Sequence, residues 1–130
     1  LSIPFESTNA FVSVSERDVE PDMKQMWEEN QLSYTVVSIW APIIVDVKSS
    51  DELNKWVATE GQDFLYGSTK IAPFDDKGRV QVLMYMTLPG DTLDPGELKN
   101  ALLSVCLTAN NLDEELQKKF GGKRVQDFRS

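Results

Sequence analysis

The sequence of 130 residues contains no histidine and one cysteine, Cys106. The first absence removes His-based triads, His general bases and His-ligated zinc. The second leaves no intrachain disulfide and no multi-cysteine metal site. Positive charge is scarce too: 13 Lys and Arg stand against 21 Asp and Glu, a formal net charge of -8. Such a chain repels phosphate backbones and anionic membranes unless its cations cluster, and along the sequence they do not. No apolar run approaches the roughly 18 residues of a membrane span. The longest, Tyr34 to Val47, is broken by Ser38 and Pro42. The opening, Leu1-Ser2-Ile3-Pro4-Phe5, has neither the basic start nor the long apolar stretch of a signal peptide. The expectation is a cytoplasmic protein that binds neither nucleic acid nor membrane and carries no cofactor or metal.

What is present is an ordinary folding mixture. Hydrophobic residues make up 41% and charged residues 26%, enough apolar surface to build a core. The length sets a prior of one domain over residues 1–130, with 1–9 as a loose arm. Ala10 to Arg17 alternates as a short strand, Val12 and Val14 on one face, Phe11 and Ser13 on the other. Pro21 opens a short helix over Met23 to Asn30. Tyr34 to Val47 is the strongest strand signal, rich in β-branched residues, and Pro42 marks an edge or a bend within it. Ser50 reads as the N-cap of a helix running to about Gln62, with Asp51 and Glu52 in its first turn. Two strands follow, Phe64 to Phe74 and Arg79 to Leu88, joined by the turn Asp75-Asp76-Lys77-Gly78. Asp94-Pro95-Gly96-Glu97 is a capping box. The helix it opens carries Leu98, Leu102, Val105, Ala109, Leu112 and Leu116 along one stripe, and Gly121-Gly122 stops it. Adjacent antiparallel strands backed by helices predict an α+β fold, a mainly antiparallel sheet with helices packed on it.

In the second half Phe64-Leu65-Tyr66-Gly67-Ser68, the Asp-Lys-Gly turn, Leu88-Pro89-Gly90-Asp91-Thr92-Leu93-Asp94-Pro95, and Asn111-Leu112-Asp113-Glu114-Glu115-Leu116 ahead of Phe120-Gly121-Gly122 occur in order. Together, over about residues 51–122, they resemble the YbjN family, which shares its fold with the CesT-like chaperones of type III secretion. The resemblance implies an α/β sandwich, no catalytic site, and a role in binding protein segments or in regulation. Members are described as sensory-transduction regulators. They usually begin with a helix before the first strand. Here Met23 to Asn30 takes its place, or that helix lies outside this sequence.

Carboxylates offer one rival reading, a small hydrolase working with carboxylates alone. Asp75 and Asp76 fall in a hairpin turn, however, and Asp91, Asp94 and Glu97 around a helix cap, so local structure accounts for them. Ser68 and Lys70 share a strand face, but no oxyanion hole or glycine elbow surrounds them. Cys106 has no basic neighbour in sequence and reads as a small packed side chain. Gly121-Gly122-Lys123-Arg124 follows a helix where a phosphate loop would precede one.

The sheet is more informative. Simple alternation along Tyr34 to Val47 and Arg79 to Leu88 places Tyr34, Val36, Trp40, Ile44, Leu83 and Tyr85 on the face opposite the helices. Aromatics with few charges on a face that should be wet predict a partner-binding or dimer surface. Three covers are open: the chain's own N-terminal arm or short helix through Leu1, Ile3, Phe5, Met26 and Trp27; a second copy, giving a homodimer; or a segment of another protein. The acidic net charge favours a cationic or amphipathic peptide as that segment. The first expectation is therefore a non-enzymatic protein-binding module. The alternatives are the carboxylate hydrolase and a structural subunit of a larger assembly.

Overall fold

The structure, a computed structural model, describes residues 1–129. Its five strands form one antiparallel sheet in the order β1-β2-β3-β5-β4. They are β1 (Ser2–Phe5), β2 (Thr8–Glu16), β3 (Thr35–Lys48), β4 (Ser68–Pro73) and β5 (Arg79–Pro89). A 3-10 turn, Pro21–Met23, leads into α1 (Lys24–Glu29). The remaining helices are α2 (Asp51–Ala58), α3 (Pro95–Phe120) and α4 (Val125–Arg129). Among the described residues, no helix is long and apolar enough to cross a membrane.

Both expected helix caps form. Ser50 Oγ accepts from the Leu53 N–H at 3.1 Å, and Asp94 Oδ1 accepts from the Glu97 N–H at 2.7 Å. Each satisfies one of the donors that a helix start leaves open. The Glu97 carboxyl meets the Asp94 carboxyl, and this contact pushes its pKa up. Asp75 closes the hairpin by accepting from the Lys77 and Arg79 amides, both at 3.0 Å, with Gly78 at φ 80°. Val105, Ala109 and Leu116 of α3 are fully buried against Ile39, Ala41, Val82 and Met84. Leu98, Leu102 and Leu112 are partly buried at the margin of this core. Leu53, Trp56 and Val57 of α2 join the same cluster.

Two expectations are corrected and one is resolved. Residues 1–9 are not a loose arm: Ser2–Phe5 pairs with β2 from Ser2↔Phe11 to Phe5↔Thr8 and becomes an edge strand. The strand expected from Phe64 begins at Ser68, because Gly67 at φ 78° turns the chain and leaves Leu65 89% exposed. Of the two readings of Pro42, an edge or a bend, the bend holds: the strand is central, and its register against β5 shifts directly after Pro42. Pro42 is accommodated because its carbonyl points past the end of the β2 ladder, where Thr8 Oγ1 donates to it at 2.7 Å. In a strand the missing N–H would point the same way, so the ladder loses no bond there.

Two bulges interrupt β3. Against β5 the register runs Pro42↔Leu83, then Ile44↔Val82, then Val47↔Val80, so β3 carries an extra residue at each step. The first bulge turns Ile43 and Ile44 both into the core, at 1% and 0% exposure. The second holds Asp46 at φ 53°, clamped by Arg79, whose Nε donates to Asp46 Oδ1 at 2.8 Å and whose NH2 donates to the Asp46 carbonyl. It frees Val45 to pair with Lys123 through two bonds of 2.8 Å, tying the chain after α3 to the sheet. Gly122 makes that approach possible, since a Cβ there would lie 2.6 Å from Val47 Cγ2.

Candidate binding face

Side chains alternate across a sheet, so the register assigns each residue to a layer. Residues paired with the core positions Ile39, Ala41, Val82 and Met84 point at the helices. Their sequence neighbours point away, onto what is called here the outer face. Phe11↔Trp40↔Tyr85↔Ser68 forms one row across four strands of that face. Ser15↔Val36↔Pro89 forms a second and Pro42↔Leu83↔Lys70 a third.

Five of the six expected residues therefore belong together. Trp40 and Tyr85 are adjacent and half-buried, Val36 is half-buried, and Leu83 is 8% exposed among its strand neighbours. Tyr34 lies one residue before β3 in the same alternation, with its ring against Trp27 of α1. Ile44 is the exception. The first bulge shifts it by one position, it pairs with the core residue Val82, and it faces the helices. Alternation from sequence missed two neighbours. Phe11 stacks on Trp40 with centroids 5.7 Å apart and planes 15° from parallel, and Lys70 Nζ lies 5.0 Å from the Tyr85 ring centre. Phe11 does alternate outward in the sequence, but its contact with Trp40 needs the β2–β3 register.

Among the described residues, the chain's own cover of this face is confined to one corner. Ile3 and Phe5 pair with Ala10 and Thr8, so they point toward the helices. On α1, Trp27 sits between Arg17, 4.5 Å from its ring centre, and Tyr34. The Tyr34 hydroxyl donates to Glu28 at 3.4 Å. Desolvation first, and then the Glu28 carboxylate, hold the Tyr34 phenol above its ordinary pKa. Beside this corner Arg17, Leu32, Val36, Thr87 and Pro89 line a cavity of about 250 Å³. Met23 and Met26 stay exposed.

Asp91 fixes that end of the face. Its carboxylate accepts from Thr35 Oγ1 and from the Tyr34 N–H, each at 2.7 Å, and its own N–H donates to Ser33 Oγ at 3.0 Å. The Thr35 hydroxyl, then the Tyr34 amide, lower the Asp91 pKa. A lowered carboxyl pKa in the folded chain adds stability above the unfolded value of about 4, and that stability is lost as pH falls through the folded value. Thermal melts across acidic pH should therefore show Asp91→Asn less stable than wild type at neutral pH, with the gap closing on acidification. A constant gap would mean that the charge is not involved.

Both open edges of the sheet are blunted. β1 is four residues long and contains Pro4. On β4, Gln62 Nε2 donates to the Thr69 carbonyl at 3.0 Å, and Pro73 has no N–H to offer. Short or proline-bearing edges resist the addition of another strand, which leaves the face as the more available surface.

The other groups weighed from sequence have local work. Asp75 and Asp94 bind backbone amides, as described above. Cys106 is buried, and desolvation pushes its thiol pKa up, the opposite of an activated thiolate. A concavity of about 710 Å³ lies on the helix side and includes Ser7, Asn110, Glu114 and Arg124 in its wall. Ser7 binds Asn110, Asn110 binds Glu6 and Arg124 binds Glu114 there, while Asp113 in the same wall has one buried carboxylate oxygen without a hydrogen-bond partner among the described residues. This network fastens the β1–β2 hairpin to α3.

A protein-family model described as T3SS (YopN, CesT) and YbjN peptide-binding chaperone 1 matches residues 27–128. The match begins inside α1, so β1 and β2, with Phe11 and Arg17, lie before it. No curated protein matches the chain.

Proposed function

Because the chain belongs to the T3SS (YopN, CesT) and YbjN peptide-binding chaperone 1 family, we propose that it is a non-catalytic module that holds an extended segment of another protein against the outer face of its sheet. The family supports peptide binding as the activity. The face is supported by one observation above the rest: the row Phe11, Trp40 and Tyr85 crosses the sheet, and α2 and α3 pack on the other side. Aromatic side chains give large contact area with few rotatable bonds to immobilise, which suits binding of varied segments. A regulatory role would follow if occupancy of this face controls the bound protein.

The location is tested by titrating isotopically labelled protein with an extended peptide bearing a Leu-Val-Phe-Leu core. Amide signals of Phe11, Ser38, Trp40 and Tyr85 should shift together at saturation. Shifts confined to α3 or to the Asn110 cleft would place binding elsewhere and remove this reading.

A further inference from the structure

The charge of the whole chain and the charge of the outer face have opposite signs. Of the 21 Asp and Glu, only Glu16 and Asp46 lie in strands. Glu16 alternates with Val12 and Val14 toward the helix side, and Asp46 is bonded to Arg79. The basic strand residues are Lys48, Lys70 and Arg79. The pairs Lys48↔Arg79 and Lys70↔Leu83 place all three on the outer face, because Val47↔Val80 and Ile71↔Val82 point inward. Arg17, whose N–H donates to the Tyr34 carbonyl at 2.7 Å, extends the β2 alternation onto the same face. Lys48, Lys70 and Arg17 are exposed. An aromatic floor is thus rimmed by cations, while nearly all carboxylates sit on helices, turns and loops.

Resting on the peptide-binding reading above, we propose that this face selects segments whose apolar side chains are flanked by Asp or Glu, with Lys70, Lys48 and Arg17 receiving the carboxylates. Net charge alone favours a cationic or amphipathic peptide; the layout of charge favours an acid-flanked one. Salt screens charges beyond about 8 Å at physiological ionic strength, so acids on the helix side count for little here; Glu28 and Asp91 stand at the Tyr34 corner beside Arg17 and offset it, which leaves Lys70 and Lys48 as the main receivers. Lys70 Nζ lies exposed beside the Tyr85 ring, 5.0 Å from its centre, where a carboxylate flanking a bound apolar residue can reach it. The same layout disfavours a second copy as occupant, since two such faces would bring Lys70, Lys48 and Arg17 against their like.

The test uses the whole chain and three labelled peptides that share a Leu-Val-Phe-Leu core and carry flanks of Asp, Ser or Lys. At physiological salt the affinity order should be Asp, then Ser, then Lys, with about tenfold between the extremes, the size that a few exposed ion pairs supply. Lys70→Glu combined with Lys48→Glu should reverse the order while leaving the melting curve cooperative, because both side chains are exposed. Equal affinities, or an order led by the Lys peptide in the wild type, would overturn the charge selection and leave segment binding standing. No binding of any peptide would remove both. An oligothymidylate that displaces the Asp peptide at comparable concentration would make the basic aromatic face a nucleic-acid site instead. Sedimentation showing a wild-type dimer that Lys70→Glu strengthens would make a second copy the occupant.

Discussion

Ile44→Asp is expected to yield no cooperatively folded protein, whereas Val36→Asp, on the same strand, should fold with a modest loss. Alternation from Tyr34 would place both side chains on one face. The bulge after Pro42 separates them, leaving Ile44 at 0% exposure among the core residues and Val36 half-buried on the outer face. Aspartate at position 44 would remove a full side chain of packing and leave an unpaired carboxylate in the core. Losing the packing costs about 2–5 kcal/mol, and the unpaired polar group adds to it. A domain has about 5–15 kcal/mol in all, so the sum reaches the limit of what the fold can lose. Urea unfolding followed by circular dichroism decides the matter. A soluble Ile44→Asp with a midpoint near wild type would show that β3 runs without the bulge and that Ile44 faces outward.

The comparison of sequence with structure turns on the same strand. Caps and turns were legible because their signals are local: Ser50, Asp94, Asp75 and Gly78 each act within four residues of themselves. The α3 stripe was legible because helical spacing is regular over many turns. Bulges have no such local signature. Asp46 at positive φ and the paired Ile43 and Ile44 look like an unbroken strand until the register with β5 is known. Residues 2–5 were missed as a strand because four residues with a proline have almost no periodicity to read. The proposed binding face was legible as an excess of aromatics but not as a charged surface. Lys48, Lys70 and Arg79 are far apart in sequence, and only β3–β5–β4 pairing brings them to one side. Net charge alone favours a cationic or amphipathic peptide, but a sum over 130 residues says nothing about which layer carries which sign.

Trp40→Ala is expected to abolish most of the proposed segment binding while the fold survives. Trp40 stands at the centre of the outer row, with Phe11 stacked on one side and Tyr85 paired on the other. A half-buried indole at such a position is the kind of anchor that dominates binding, worth about 2 kcal/mol or more on truncation, or roughly thirtyfold in Kd. The folded chain loses less. Its loss is the Phe11 stack, about 1 kcal/mol, and the part of the ring that is already covered. Tyr85→Ala should follow with a smaller binding loss, since Lys70 Nζ already lies over its ring, 5.0 Å from the centre. Phe11→Ala separates support from contact. If Phe11 acts by holding the indole flat, the Phe11→Ala and Trp40→Ala losses in affinity for the Asp-flanked peptide will not add. Fluorescence titration beside thermal melts measures both quantities on the same samples. A Trp40→Ala variant that binds the peptide as wild type does, with only its melting temperature lowered, would make the stack a structural brace and move the anchor away from the row.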